Sequence, residues 1–182
     1  AGQDPDLVAL RSDRRWPAVA TYLKEVQAGW LTRKVLKTSL ILPSSYVKGQ
    51  PIPVIIGLHG LGGNESFIGV SYQDYADQLG VAFVGVSGSQ SLGPKAFRWS
   101  EDSQRDHIQV QDALKSLAKR VTPAKGRTVL FGFSQGAEMA FEIAASHPDL
   151  YRGAICLSPG RSSVGGPLAK ADLSGQRYLF VA

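Results

Sequence analysis

The stretch Thr128–Ala145, TVLFGFSQGAEMAFEIAA, decides the fold. Thr128–Phe133 is a short apolar run suited to a buried strand, and Gln135 to about Ser146 reads as a helix. Between them stands Gly132-Phe133-Ser134-Gln135-Gly136, a G-x-S-x-G pattern. Glycine and serine are common, so the five residues mean little alone. Their weight comes from a strand that runs straight into the serine and a helix that starts straight after it. A turn this sharp leaves no room for β-carbons beside the serine, which accounts for both glycines. It also places the hydroxyl at a helix N-terminus, where N–H groups and the helix dipole favour negative charge. Ser134 is therefore the candidate nucleophile. A glycine-flanked turn in any α/β protein is the competing reading, and the flanking elements weigh against it.

Working outward, apolar runs at 35–42, 52–58, 81–86, 153–157 and 177–181 read as further strands. Helical patterns alternate with them: the first thirty residues, Ser66 to Leu79 stopped by Gly80, and a helix capped by Ser100 with Glu101 and Asp102 in its first turn. On that last helix Val110, Leu114, Leu117 and Val121 make one apolar face, while His107, beside Asp106, reads as solvated. Alternating strands and helices predict one mostly parallel α/β sheet, with antiparallel pairing open to its first strand. Residues 87–99 and 160–175 read as loops, and 87–99 and 159–176 are the expected walls of a cleft.

The second chemical signal is His59-Gly60-Leu61-Gly62-Gly63, directly after the apolar run IPVIIGL. Such a loop can turn N–H groups toward an oxygen that gains negative charge, and the N–H of Gln135 can supply a second donor. Phosphate binding is the alternative for a glycine loop. The Walker lysine and the G-x-G-x-x-G spacing that would support it are both absent.

With 182 residues, 43% of them hydrophobic and 19% charged, the chain is one domain rather than a disordered segment. It has no internal repeat, linker or low-complexity tract, and its net charge of +5 is dispersed. Without a basic block or interleaved aromatic residues, a nucleic-acid partner is not expected. A single cysteine, Cys156, excludes an intramolecular disulfide and multi-cysteine zinc sites. No apolar run is long enough to span a membrane. Ala1 rather than methionine opens the chain, which points to a removed export signal or tag and leaves the compartment open.

HGLGG, the loop tryptophan of FRWSED (Trp99) and GFSQG together resemble the small serine esterases of the α/β-hydrolase fold, in the carboxylesterase and acyl-protein thioesterase group. The run from Gly132 to Gly160 is also similar to polyhydroxyalkanoate-depolymerase-like and feruloyl-esterase-like relatives. The resemblance spans about residues 33–182 and leaves 1–32 as an N-terminal helical extension. It implies Ser134 as nucleophile, Leu61 and Gln135 as oxyanion-hole N–H donors, and a small-molecule ester or thioester as substrate, with no metal or organic cofactor. Trp99 would line the substrate cleft, or equally would pack a loop from within the core. The resemblance also implies an acid and then a histidine after Ser134 in chain order. After Ser134, however, the only histidine is His147, and the only aspartates, Asp149 and Asp172, do not follow strands directly. His59 suits the loop, His107 its helix and His147 a helix end. The expectation is that about 70–100 further residues carry the acid and the base. A non-catalytic binding relative, and a peptidase or acyltransferase on the same fold, are the alternative functions.

Overall fold

The computed structural model describes residues 5–100, 102–160 and 172–182. Six strands form one sheet: β1 (Thr38–Ile41), β2 (Pro51–Leu58), β3 (Ala82–Val86), β6 (Thr122–Phe133), β7 (Gly153–Leu157) and β8 (Arg177–Val181). Their spatial order is β1-β3-β2-β6-β7-β8. The first strand pairs antiparallel with β3, Thr38 opposite Val86, and every other pairing is parallel. A parallel sheet needs cover on both faces, and the side chains of its strands divide accordingly. Val54, Ile56 and Leu58 of β2 and Leu130 of β6 point into a main core shared with two helices, α4 (Ser103–Ser116) and α5 (Gln135–Ser146). Ile55 and Phe131 point the other way, into a smaller cluster around Ile68, Ala76 and Phe83 beside α3 (Gln73–Leu79).

Several elements depart from the sequence expectation. The helix expected over Ser66–Leu79 is two 3-10 turns, Glu65–Phe67 and Val70–Tyr72, followed by α3. Ile68 and Gly69 between the turns are extended, and this lets the Ile68 side chain become fully buried. At the other end Gly80 closes α3 in the left-handed conformation, φ 62°. The cap of α4 is Asp102, whose carboxylate accepts the N–H groups of Gln104 (3.0 Å) and Arg105 (3.2 Å); the Ser100 hydroxyl turns instead to the Asp102 carbonyl and to Asp106. Glu101, expected in the same first turn, lies outside the described residues, as does most of the 160–175 loop.

The nucleophile strand is longer than expected. It starts at Thr122, and its register against β2 slips between Ile52–Pro123 and Val54–Thr128, so an exposed stretch with Lys125 and Arg127 bulges out. Within the 87–99 loop, β4 (Gln90–Ser91) and β5 (Phe97–Arg98) form a small antiparallel hairpin. At the N-terminus the single helical stretch is α1 (Val8–Arg11), a break, and α2 (Trp16–Leu31), which buries none of its side chains.

Candidate active site

Ser134 sits at the carboxyl end of β6, between that strand and the first residue of α5. Its backbone has φ 51° and ψ −122°, a conformation a β-carbon strongly disfavours. Among the described residues only Ser158 shares a positive φ without being glycine. The turn is this tight because the chain reverses onto itself. A β-carbon on Gly132 would run into the Gly136 carbonyl, and one on Gly136 into the Leu58 carbonyl of the neighbouring strand. Both glycines of the pattern are thus steric necessities. The Ser134 N–H donates to the Leu157 carbonyl of β7 (2.9 Å), which fixes the turn against the sheet edge. Gln135 opens α5, where the first N–H groups of a helix lack intrahelical partners.

The His59–Gly63 loop lies against this turn: a β-carbon built on Gly60 would come 3.4 Å from Ser134 Cβ. The loop is pinned at several points. Gly62 donates to the Phe97 carbonyl and Phe97 to the Gly63 carbonyl (both 2.9 Å), while Gly63 closes a turn onto the Gly60 carbonyl (3.0 Å). The Leu61 N–H, in the middle, enters none of these backbone bonds, and the Leu61 side chain is exposed. A cleft of about 370 Å³ opens here, walled by Leu61, Phe67 and Phe133 with Asn64 and Ser66 as polar members.

Trp99, left between cleft wall and loop packing, does the second: its indole is buried, 1% exposed. The ring N–H donates to the His59 carbonyl (2.8 Å), and the ring lies 5.3 Å from the imidazole. Its backbone makes a two-point contact that the sequence did not disclose. The Gln135 side chain accepts from the Trp99 N–H and donates to the Trp99 carbonyl, each at 3.1 Å. The residue after the nucleophile is thereby tied, through Trp99, to the root of the HGLGG loop.

All three histidines of the chain are described. His59 is spent on the loop: Nδ1 faces the Gly60 carbonyl at 2.7 Å and Nε2 accepts the Gly88 N–H at 2.9 Å. The second bond fixes the proton on Nδ1. Burial holds its pKa below the ordinary value, so the ring stays neutral. His107 is not solvated as expected but buried, with its ring stacked on His147 at 3.7 Å. Burial, with His147 alongside, pushes it down to about 4. Both rings are remote from Ser134, because His147 follows the last residue of α5 and a helix of twelve residues is about 18 Å long. Cys156 is buried, and its thiol is pushed up to about 11, which makes it inert. Among the described residues no three His, Cys, Asp or Glu side chains cluster as metal ligands, and no helix is long and apolar enough to cross a membrane.

Residues 32–176 match the model of the Esterase family. The chain belongs to the Esterase family. Its α/β-hydrolase fold is shared with solved structures of other esterases. The carboxylesterase of Bacillus cereus superposes with a TM-score of 0.61 at 21% identity, over 85% of this chain and 73% of that one. The acetyl xylan esterase of Aspergillus awamori gives 0.53 at 16% identity, over 73% and 52%. The fluorophosphonate-binding serine hydrolase F of Staphylococcus aureus gives 0.51 at 13%, over 79% and 66%. This esterase chain thus spans between about half and three quarters of the structures it resembles. No curated protein matches its sequence. The match begins at residue 32, so the N-terminal helices lie outside the family region.

Proposed function

We propose that this esterase hydrolyses a small carboxylic ester, or a thioester, through an acyl-enzyme on Ser134. The observation that carries the reading is the Ser134 backbone, held in a disfavoured conformation between β6 and α5. Such strain persists only where surrounding structure imposes it, and here it exposes the hydroxyl at a helix N-terminus. In the first half-reaction Ser134 Oγ loses its proton to a general base and bonds to the carbonyl carbon. The oxygen gains the negative charge and takes hydrogen bonds from the N–H groups of Leu61 and Gln135. The carbon–oxygen or carbon–sulfur bond then breaks, and the base returns its proton to the leaving group. Water repeats the sequence and releases the acid.

The base is none of the chain's own histidines. His59 has both ring nitrogens committed to the loop, and the stacked His107–His147 pair lies at the far end of α5. We assign the base and the acid that orients it to residues outside 1–182. Leu61, Phe67 and Phe133 suit a small apolar group on one side of the scissile bond. The test is labelling of the longer protein with a fluorophosphonate, followed by peptide mapping. The expected adduct is on Ser134; an active protein that stays unlabelled there uses another nucleophile.

A further inference from the structure

Asp106 carries no role in the mechanism above, yet it is completely buried. A carboxyl group in that position is costly unless hydrogen bonds compensate it. Among the described residues neither ion pair includes it. Its hydrogen-bonding neighbours are two serines, and the Arg105 charge lies near enough to favour the ionised form. Ser100 donates its hydroxyl to Asp106 Oδ2 at 3.1 Å. Asp106 Oδ1 and the Ser89 hydroxyl are both buried without a hydrogen bond of good geometry, though the hydroxyl lies near enough to favour the ionised carboxyl. Burial nonetheless dominates and holds Asp106 above the usual carboxylate range.

The two serines are the neighbours of the two residues that grip His59. Ser89 follows Gly88, whose N–H binds His59 Nε2; Ser100 follows Trp99, whose indole N–H binds the His59 carbonyl. Asp106 stands on the rigid helix α4 and meets both ends of the 88–100 excursion at once. We infer that Asp106 is a positioning residue, which sets the Leu61 N–H donor through Ser89, Ser100 and the two contacts to His59. The inference rests on the esterase reading of Ser134. It acts on the transition state, because the Leu61 N–H is needed where the oxyanion forms rather than where the ester first binds.

The experiment uses the complete protein, with p-nitrophenyl acetate as substrate and phenylboronic acid as a tetrahedral analogue. Asp106→Ala should lower kcat by about ten- to a hundredfold, the range expected from misplacing a catalytic group by about an ångström, with KM within about threefold. The analogue's inhibition constant should rise with the fall in kcat. Asp106→Asn retains an acceptor for Ser100 and should recover most of the activity. Should the alanine variant fail to fold, Ser100→Ala carries the same test and should reproduce the kcat loss more weakly. Wild-type kcat in both Ser100→Ala and a folded Asp106 variant overturns the inference, as does a loss confined to KM. A wild-type protein that neither turns over ester nor takes fluorophosphonate at Ser134 overturns the esterase reading and this inference with it. An active wild type with indifferent variants overturns this inference alone.

Discussion

The strain in this protein is local to a few residues whose side chains were chosen by space. Ser134 keeps a β-carbon in a backbone conformation that glycine would adopt freely, whereas Gly132 and Gly136 have carbonyl groups where a β-carbon would stand. Ser134→Ala preserves the turn and removes only the oxygen. Esterase activity of the complete protein should fall about 10⁴–10⁶-fold, read as kcat/KM, with the melting temperature little changed. Gly136→Ala should do the reverse. Its new methyl meets backbone rather than a flexible side chain, so the strand or helix must move. Stability should drop by at least about 1–3 kcal/mol in urea denaturation, and activity should fall with it. A Gly136→Ala variant as stable as the parent would show that the turn has slack.

At the scale of elements, α4 concentrates what the sequence left hidden. Asp102→Ala removes the acceptor for two N–H groups and should cost about 1 kcal/mol, measured by urea unfolding. On its buried side, His107 stacks on His147, with Tyr151 edge-on at 5.8 Å and Asp149 as the nearby acid. An unfolded chain takes up this proton near pH 6.5, while the folded one refuses it until about 4. The contribution of His107 to stability should therefore fall as pH drops from 6.5 to 4, by at most about 3 kcal/mol, while Asp106, held high by burial, works in the opposite sense. Unfolding His107→Gln at pH 7, 5.5 and 4.5 should show a flatter slope than the wild type.

His107 stands three residues before Val110 on the apolar period that runs on to Leu114, a sign of burial that its polar side chain outweighed in the sequence reading. Polar identity argued for solvent, and the folded chain buries the ring instead. The strands of the sheet were legible because fully buried parallel strands are continuous apolar runs. Ser134 was legible because the strand, the turn and the helix adjoin in sequence. Nothing in one dimension disclosed the Gln135–Trp99 clamp or the Ser89–Asp106–Ser100 group, since each depends on segments that meet only in the folded chain. The bulge at 124–127 and the hairpin at 90–98 escaped for a related reason: both are short, polar and fixed by their neighbours.

For the molecule as a whole, placing the general base outside residues 1–182 has a direct test. The 182-residue chain alone should hydrolyse p-nitrophenyl acetate near background, and Ser134→Ala should scarcely alter it. Coexpression with a segment that supplies the proposed base and acid should restore both turnover and the effect of the substitution; strong Ser134-dependent turnover by the isolated chain would return the base to one of its three histidines. The pairing of β2 with β6 bears on something else, the order in which the protein acquires shape. Leu58 faces Gly132 across that ladder, so the nucleophile strand closes a loop that encloses β3, the hairpin and all of α4. Contacts so distant along the chain make folding slow, on the order of milliseconds to seconds. During synthesis from the N-terminus, β2 is finished long before β6 exists, and one long edge of IPVIIGL waits unpaired. That waiting edge is the point at which a nascent chain of this esterase is most open to aggregation and most in need of a chaperone.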